Sequence, residues 1–159
     1  MVEPYRLREW RVAVGRLFTC ARPGRSKWKD APQVPKKIID QWVQNLPSKE
    51  IEIVSLLGQK PHGTSEYSFY PFRGGFDPND GEKPLFQEWL ALTYPDRRIK
   101  VHEHPTIDFS PIQREELENV AITINRILQA DKTVLLIDSG GQTRTDTVCR
   151  YLKLQEKFG

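Results

Sequence analysis

Lys132-Thr-Val-Leu-Leu-Ile-Asp-Ser-Gly-Gly-Gln-Thr-Arg-Thr145 is the stretch on which the reading of the whole chain turns. Lys132 to Ile137 is a short apolar run, rich in β-branched and leucine side chains, that suits a buried strand. The next residues are polar and contain two glycines, and from Arg144 the pattern turns helical as far as about Lys157. A strand that runs through a glycine-containing turn into a helix is a recurring way to hold a phosphate. The turn aims backbone N–H groups inward, and the helix N-terminus adds its positive end. Five residues separate Asp138 from Arg144, enough to curl around one tetrahedral anion. An arginine at that point can donate to two phosphate oxygens at once.

Working outward, Arg11 to Cys20 alternates as a strand does, and Ala21-Arg-Pro-Gly24 ends it in a turn. About ten polar residues then read as loop. Val34-Pro35 opens a helix in which Ile38, Ile39, Trp42, Val43 and Leu46 keep the 3.6-residue period until Pro47. Ile51 to Leu57 predicts a core strand. Tyr67 to Phe72 alternates aromatic residues and predicts a strand beside it, and 76–83 is turn-rich. Pro84 begins a second helix with Leu85, Trp89, Leu90 and Leu92. Ile99 to Val101 starts another strand, and Pro105 to Pro111 is loop. Pro111 then opens the longest helix, to Ala130, with Leu117, Val120, Ile124, Ile127 and Leu128 on one face.

Strands alternating with helices predict an α/β fold, a four- to five-stranded parallel or mixed sheet flanked by helices. The length of 159 residues suits a single domain over 1–159. Apolar residues are 38% and charged residues 28%, ordinary for a soluble protein, and no run approaches a membrane span. MVEPYRLREW lacks the apolar stretch of a signal peptide, so the expected location is cytoplasmic. Net charge is +3, too weak a bias to predict a nucleic-acid partner. The densest basic group, four residues within Arg22 to Lys29, reads as a solvated face or loop. Cys20 and Cys149 have neither metal nor disulfide spacing and read as reduced core residues. His102 and His104 share a strand face with no third ligand in view, so no metal or other cofactor is expected.

In this frame the sequence resembles the protein tyrosine phosphatases, particularly their small dual-specificity branch. Those enzymes carry a strand, then His-Cys-x-x-Gly-x-x-Arg-Ser/Thr, then a helix. Ile137 to Thr145 fits in register, with Gly141, Arg144 and Thr145 matching. His104-Pro-Thr-Ile-Asp108-Phe-Ser-Pro111 is similar to the family's loop bearing the general-acid aspartate, and a long helix follows it here as there. Arg16-Leu-Phe-Thr-Cys-Ala-Arg-Pro23 resembles the first strand and turn of the small members. The resemblance spans about residues 11–155. It implies a single-domain tyrosine-phosphatase-like fold with the phosphate loop between the last strand and the C-terminal helix.

The same resemblance assigns roles. Asp138 stands at the nucleophile position, Arg144 is the phosphate clamp and Asp108 the general acid, with Thr145 beside them. Ser139, Gly140, Gly141, Gln142, Thr143 and Arg144 form the phosphate-binding loop. The departure is decisive for chemistry. The family's low-pKa cysteine attacks phosphorus, whereas this chain has Asp138, preceded by Ile137 in place of histidine. A carboxylate is a poorer nucleophile and puts negative charge into a cradle for anions. Two unit charges about 4 Å apart repel by roughly 4 kcal/mol at an effective dielectric near 20. The resemblance therefore implies a pseudophosphatase, inactive as it stands, that works by binding a phosphorylated protein or small phosphomonoester, as a monomer. The alternative is an active cysteine-dependent phosphatase whose nucleophile has been substituted, Cys to Asp.

Two other phosphate-handling families begin a motif with a strand-end aspartate. Haloacid-dehalogenase-type phosphatases need a second aspartate where Gly140 stands. The sugar kinases' Asp-x-Gly-Gly-Thr loop precedes a large ATP-binding domain, and 21 residues follow Asp138. For Asp108 the plain structural reading is a helix cap, with Asp108 or Ser110 just before the helix opened by Pro111 and accepting its free N–H groups. The expectations are then specific. Backbone N–H groups of residues 139–144 and the Arg144 guanidinium should converge on one point, Asp138 should lie at the floor, and Asp108 should overhang the mouth.

Overall fold

Alternating apolar stretches place five strands in one sheet. β1 is Arg8–Trp10, β2 Arg16–Ala21, β3 Glu50–Ser55, β4 Arg98–Glu103 and β5 Thr133–Asp138. The structure is a computed structural model that describes residues 3–25, 33–77 and 81–158. Among these, four helices flank the sheet: α1 (Lys36–Gln44), α2 (Phe86–Thr93), α3 (Arg114–Gln129) and α4 (Thr143–Tyr151). The strand order is β1-β2-β5-β3-β4. β1 is antiparallel to β2, and the other pairings are parallel. The fold is thus α/β with a mixed five-stranded sheet.

The period-2 alternation of the strands divides the core into two layers. On one face Phe18, Cys20, Ile51, Ile53, Leu135 and Ile137 pack with Ile39, Trp42 and Val43 of α1 and with Phe86 and Leu90 of α2. On the other, Leu17, Val54, Val134 and Leu136 pack with Val120, Ile124 and Ile127 of α3 and with Val148 and Cys149 of α4. The chain therefore leaves β2 toward one face and leaves the adjacent β5 toward the other. That divergence opens a crevice at the carboxyl ends of the strands, where open α/β sheets bind ligands.

Several expected boundaries shift. The Tyr67 to Phe72 run is not a strand but a series of turns, with Ser68 N–H donating to Ser65 and Tyr70 N–H to Tyr67. Its rings pack on one another and on Phe86. Tyr70 stacks on Phe72 with centroids 4.9 Å apart, and Phe72 stacks on Phe86 at 4.2 Å. The first long strand begins at Arg16, not Arg11, because Gly15 takes a left-handed φ of 71° under the Lys132 carbonyl. α3 starts three residues after Pro111, at a capping box in which the Glu116 side chain accepts the Gln113 N–H. The last helix stops at Tyr151, and the tail turns back along β1. There Arg11 N–H donates to Gln155 and Lys157 N–H to Glu9, covering that sheet edge. Much of the expected polar loop after Gly24, part of the turn-rich 76–83, and Lys27 and Lys29 of the basic group lie outside the described residues.

Candidate functional site

β5 delivers Asp138 to the carboxyl edge of the sheet, where its side chain is buried. In the loop that follows, the Gly140 and Gly141 carbonyls face outward to arginines, while the Gly141 N–H faces in, as do those of Arg144 and Thr145 in the first turn of α4. Arg6 Nη1 donates to the Gly140 carbonyl at 3.3 Å, and Arg8 Nη2 donates to the Gly141 carbonyl at 3.0 Å. Gly141 makes this arrangement possible. Its φ is +72°, and a Cβ there would come within 2.4 Å of the Ala21 nitrogen. Gln142 precedes α4, with its side-chain oxygen accepting from Arg6 Nη1 at 2.6 Å.

What the N–H groups hold is the side chain of Asp138 itself. Its Oδ1 accepts the Gly141 N–H. Its Oδ2 accepts the N–H groups of Arg144 and Thr145, each at 2.9 Å. Of the residues 139–144 expected to converge, Gly141 and Arg144 supply N–H groups to that point, Thr145 adds a third from outside the range, and the Asp138 carboxylate lies where they meet. The other loop residues serve differently. Ser139 turns its hydroxyl to Arg22 and Arg25, and Thr143 begins α4, its carbonyl accepting from the Thr147 hydroxyl at 2.9 Å. The Thr145 hydroxyl donates to the Gln142 carbonyl at 3.2 Å.

The Arg144 guanidinium departs from the expectation. Its backbone N–H joins the convergence point; its side chain does not. Nη1 and Nη2 donate to Oε1 and Oε2 of Glu66, both at 2.8 Å, and Nη1 also reaches the Thr106 hydroxyl and the Leu56 carbonyl. Both partners are buried. Burial works against the charge on Arg144, but the hydrogen bonds and charge of Glu66 more than offset it, and its pKa rises above the usual value. A buried fork-on-carboxylate pair of this geometry holds the side chain in place more firmly than a transient anion would. Asp108 lies on the loop after β4, with Oδ1 at 3.4 Å from Arg144 Nη2 and accepting the N–H of Phe109. It sits beside the Arg144 side chain, and the capping box of α3 is built from Gln113 and Glu116 instead of Asp108.

Glu66 escaped the sequence reading. It falls in a polar, turn-rich stretch, 78 residues from Arg144, and nothing local marks it as a buried anion. Arg22 also escaped, being read as solvated when it is in fact buried. The cysteines match their bland reading. Burial and the nearby Asp138 charge push the Cys20 thiol far up, and burial pushes Cys149 up to about 12. Neither supplies a thiolate. His102 Nε2 lies 2.6 Å from Glu52, and His104 Nε2 lies 2.9 Å from the Thr123 hydroxyl. Among the described residues no cluster of three metal-ligating side chains occurs.

Next to the Arg144 pair is a second polar cluster. The buried Tyr67 hydroxyl lies 2.7 Å from Ser55 Oγ and donates to both Glu103 oxygens at 2.9 Å. Burial pushes the Glu103 carboxyl up to about 8, with the Asp77 charge adding to it against the Tyr67 hydrogen bond. The folded chain therefore keeps a proton that the unfolded chain, titrating near 4.5, gives up. Stability from this group is full below about pH 4.5 and is lost as pH rises toward 8, with a slope of up to about 1.4 kcal/mol per pH unit. Thermal unfolding followed from pH 5 to pH 8 should show that loss in the native chain and a flatter profile in Glu103→Gln. Parallel profiles would place the proton elsewhere.

No family model, curated relative or solved structure matches this chain.

Proposed function

We propose that this chain is a phosphatase-like binding domain whose phosphate loop is closed by its own aspartate, and that it carries out no phosphoryl transfer. The observation that supports the reading is the convergence of the Gly141, Arg144 and Thr145 N–H groups on the Asp138 carboxylate. A phosphate in that cradle would have to displace a covalently tethered anion from the same donors, against its charge. The order of parts agrees with the tyrosine-phosphatase frame: an aspartate loop, then strand, loop, arginine and helix, with Asp108 beside the Arg144 side chain. Its partner would be a phosphorylated protein or a small phosphomonoester.

A second reading, a nucleophile-substituted form of an active enzyme, is favoured by one observation. Asp108 lies 3.4 Å from the Arg144 guanidinium, and the backbone N–H of the same arginine bonds Asp138. Both readings expect the protein with Asp138 to leave p-nitrophenyl phosphate unhydrolysed above background over pH 5 to 8. Robust turnover abolished by Arg144→Ala would mean that another group is the nucleophile, and the proposal would fall.

A further inference from the structure

Beside the filled cradle, at the carboxyl ends of the parallel strands, lies a cleft of about 480 Å³. Arg22 and Arg25 reach it from just after β2, Ser139 from just after β5, Lys60 from the loop after β3, and Asp108 and Phe109 from the loop after β4. This is the crevice opened where the chain leaves β2 and β5 toward opposite faces.

Arg22 is the unusual member. It is only 4% exposed, and yet among the described residues no carboxylate lies in ion-pair range of it, of Arg25 or of Lys60. A buried guanidinium whose hydrogen-bond partners are neutral is left short of the strong, charge-assisted acceptors it can use. The guanidinium is positioned by neutral groups: the Tyr70 hydroxyl at 3.0 Å and the Phe69 ring, 5.3 Å from its carbon. Lys60 Nζ lies over the same ring, 4.3 Å from its centroid.

Two of these cations also point at one spot. Arg22 Nε and Arg25 Nε both donate to Ser139 Oγ, at 3.4 and 3.2 Å. Those bonds are long and the acceptor is neutral, whereas a charge-assisted bond to an oxyanion runs near 2.7–2.9 Å. The hydroxyl marks the place that an anionic oxygen fills better. Asp108, the acid in the cleft, is engaged by Arg144. Phe109 stands 89% exposed on the rim with φ of 62°, offering an apolar wall next to the anion position.

We propose that this cleft is an oxyanion site, distinct from the cradle, which takes the phosphoryl group of a phosphomonoester between Arg22, Arg25 and Lys60 with its organic part against Phe109. The inference rests on the preceding reading in taking the cradle as filled.

The test is a titration of the ¹⁵N-labelled full chain with phenyl phosphate and, separately, with inorganic phosphate. Saturable binding is expected, with amide shifts at Arg22, Lys60 and Ser139 and tighter binding of the ester. In Arg25→Gln/Lys60→Gln, which alters rim side chains only, affinity should fall at least tenfold at an unchanged unfolding temperature. Equal or tighter binding of inorganic phosphate would overturn the assignment to an ester. Absence of saturable binding would overturn the site and leave the filled cradle standing. Shifts centred on Gly141, Arg144 and Thr145 that survive the double substitution would overturn both.

Discussion

Asp138→Ser is expected to raise the affinity of the cradle for inorganic phosphate by about three orders of magnitude, read on the amides of Gly141 and Thr145. The size follows from charge. Removing one unit charge about 4 Å from the bound anion relieves roughly 4 kcal/mol at an effective dielectric near 20. The substitution also leaves three inward N–H groups without their acceptor, and a phosphate oxygen would satisfy them. Asp138→Cys adds the chemistry. A thiol at that position would face the same three donors at the start of α4, an environment that favours the thiolate. Turnover should nevertheless remain low. Ile137 is apolar where the resemblance places a histidine, and the Arg144 side chain is bound by Glu66 instead of reaching into the cradle. A revival of many orders of magnitude with a burst of phosphoenzyme would show the chain to be a nucleophile-substituted enzyme. No gain in phosphate affinity on Asp138→Ser would mean that the carboxylate does not close the loop.

What could be read in the sequence was what local pattern controls. The buried strand ending at Asp138, the glycine loop, and the helices with Trp42, Leu90 and Ile124 on their inner faces all come from periodicity. Within Ile137 to Thr145 the N–H groups that meet on Asp138 come from residues close to it in sequence, where turn geometry sets their direction. The side-chain partners were not legible, because they come from distant segments. Glu66 meets Arg144 only when the loop after β3 folds over the end of β5, and the buried Arg22 contacts Tyr70, Phe69 and Ser139, all distant from it in sequence. The aromatic run 67–72 misled for a related reason. Alternation within six residues fits a strand, but here the rings form a stacked cluster that turns of three residues present equally well.

The Glu66–Arg144 pair should dominate the stability of this end of the sheet. In Glu66→Ala a loss of about 3–5 kcal/mol is expected, the usual cost of leaving one member of a buried ion pair uncompensated. The substitution also orphans the Gly58 N–H, which donates to Glu66 Oε1 at 3.0 Å. Glu66→Gln keeps an acceptor for that N–H and should lose less. Arg144→Lys should not rescue the geometry, since an ammonium cannot match both carboxylate oxygens while also reaching Thr106 and Leu56. Urea unfolding midpoints with an unchanged slope would measure these differences. A loss below about 1 kcal/mol for Glu66→Ala, typical of an exposed pair, would mean that Arg144 is free to swing. Its natural destination would then be Asp108, 3.4 Å away, and the mouth of the cradle. In that case the clamp would be available to an anion after all, and closure of the site would rest on the Asp138 carboxylate alone.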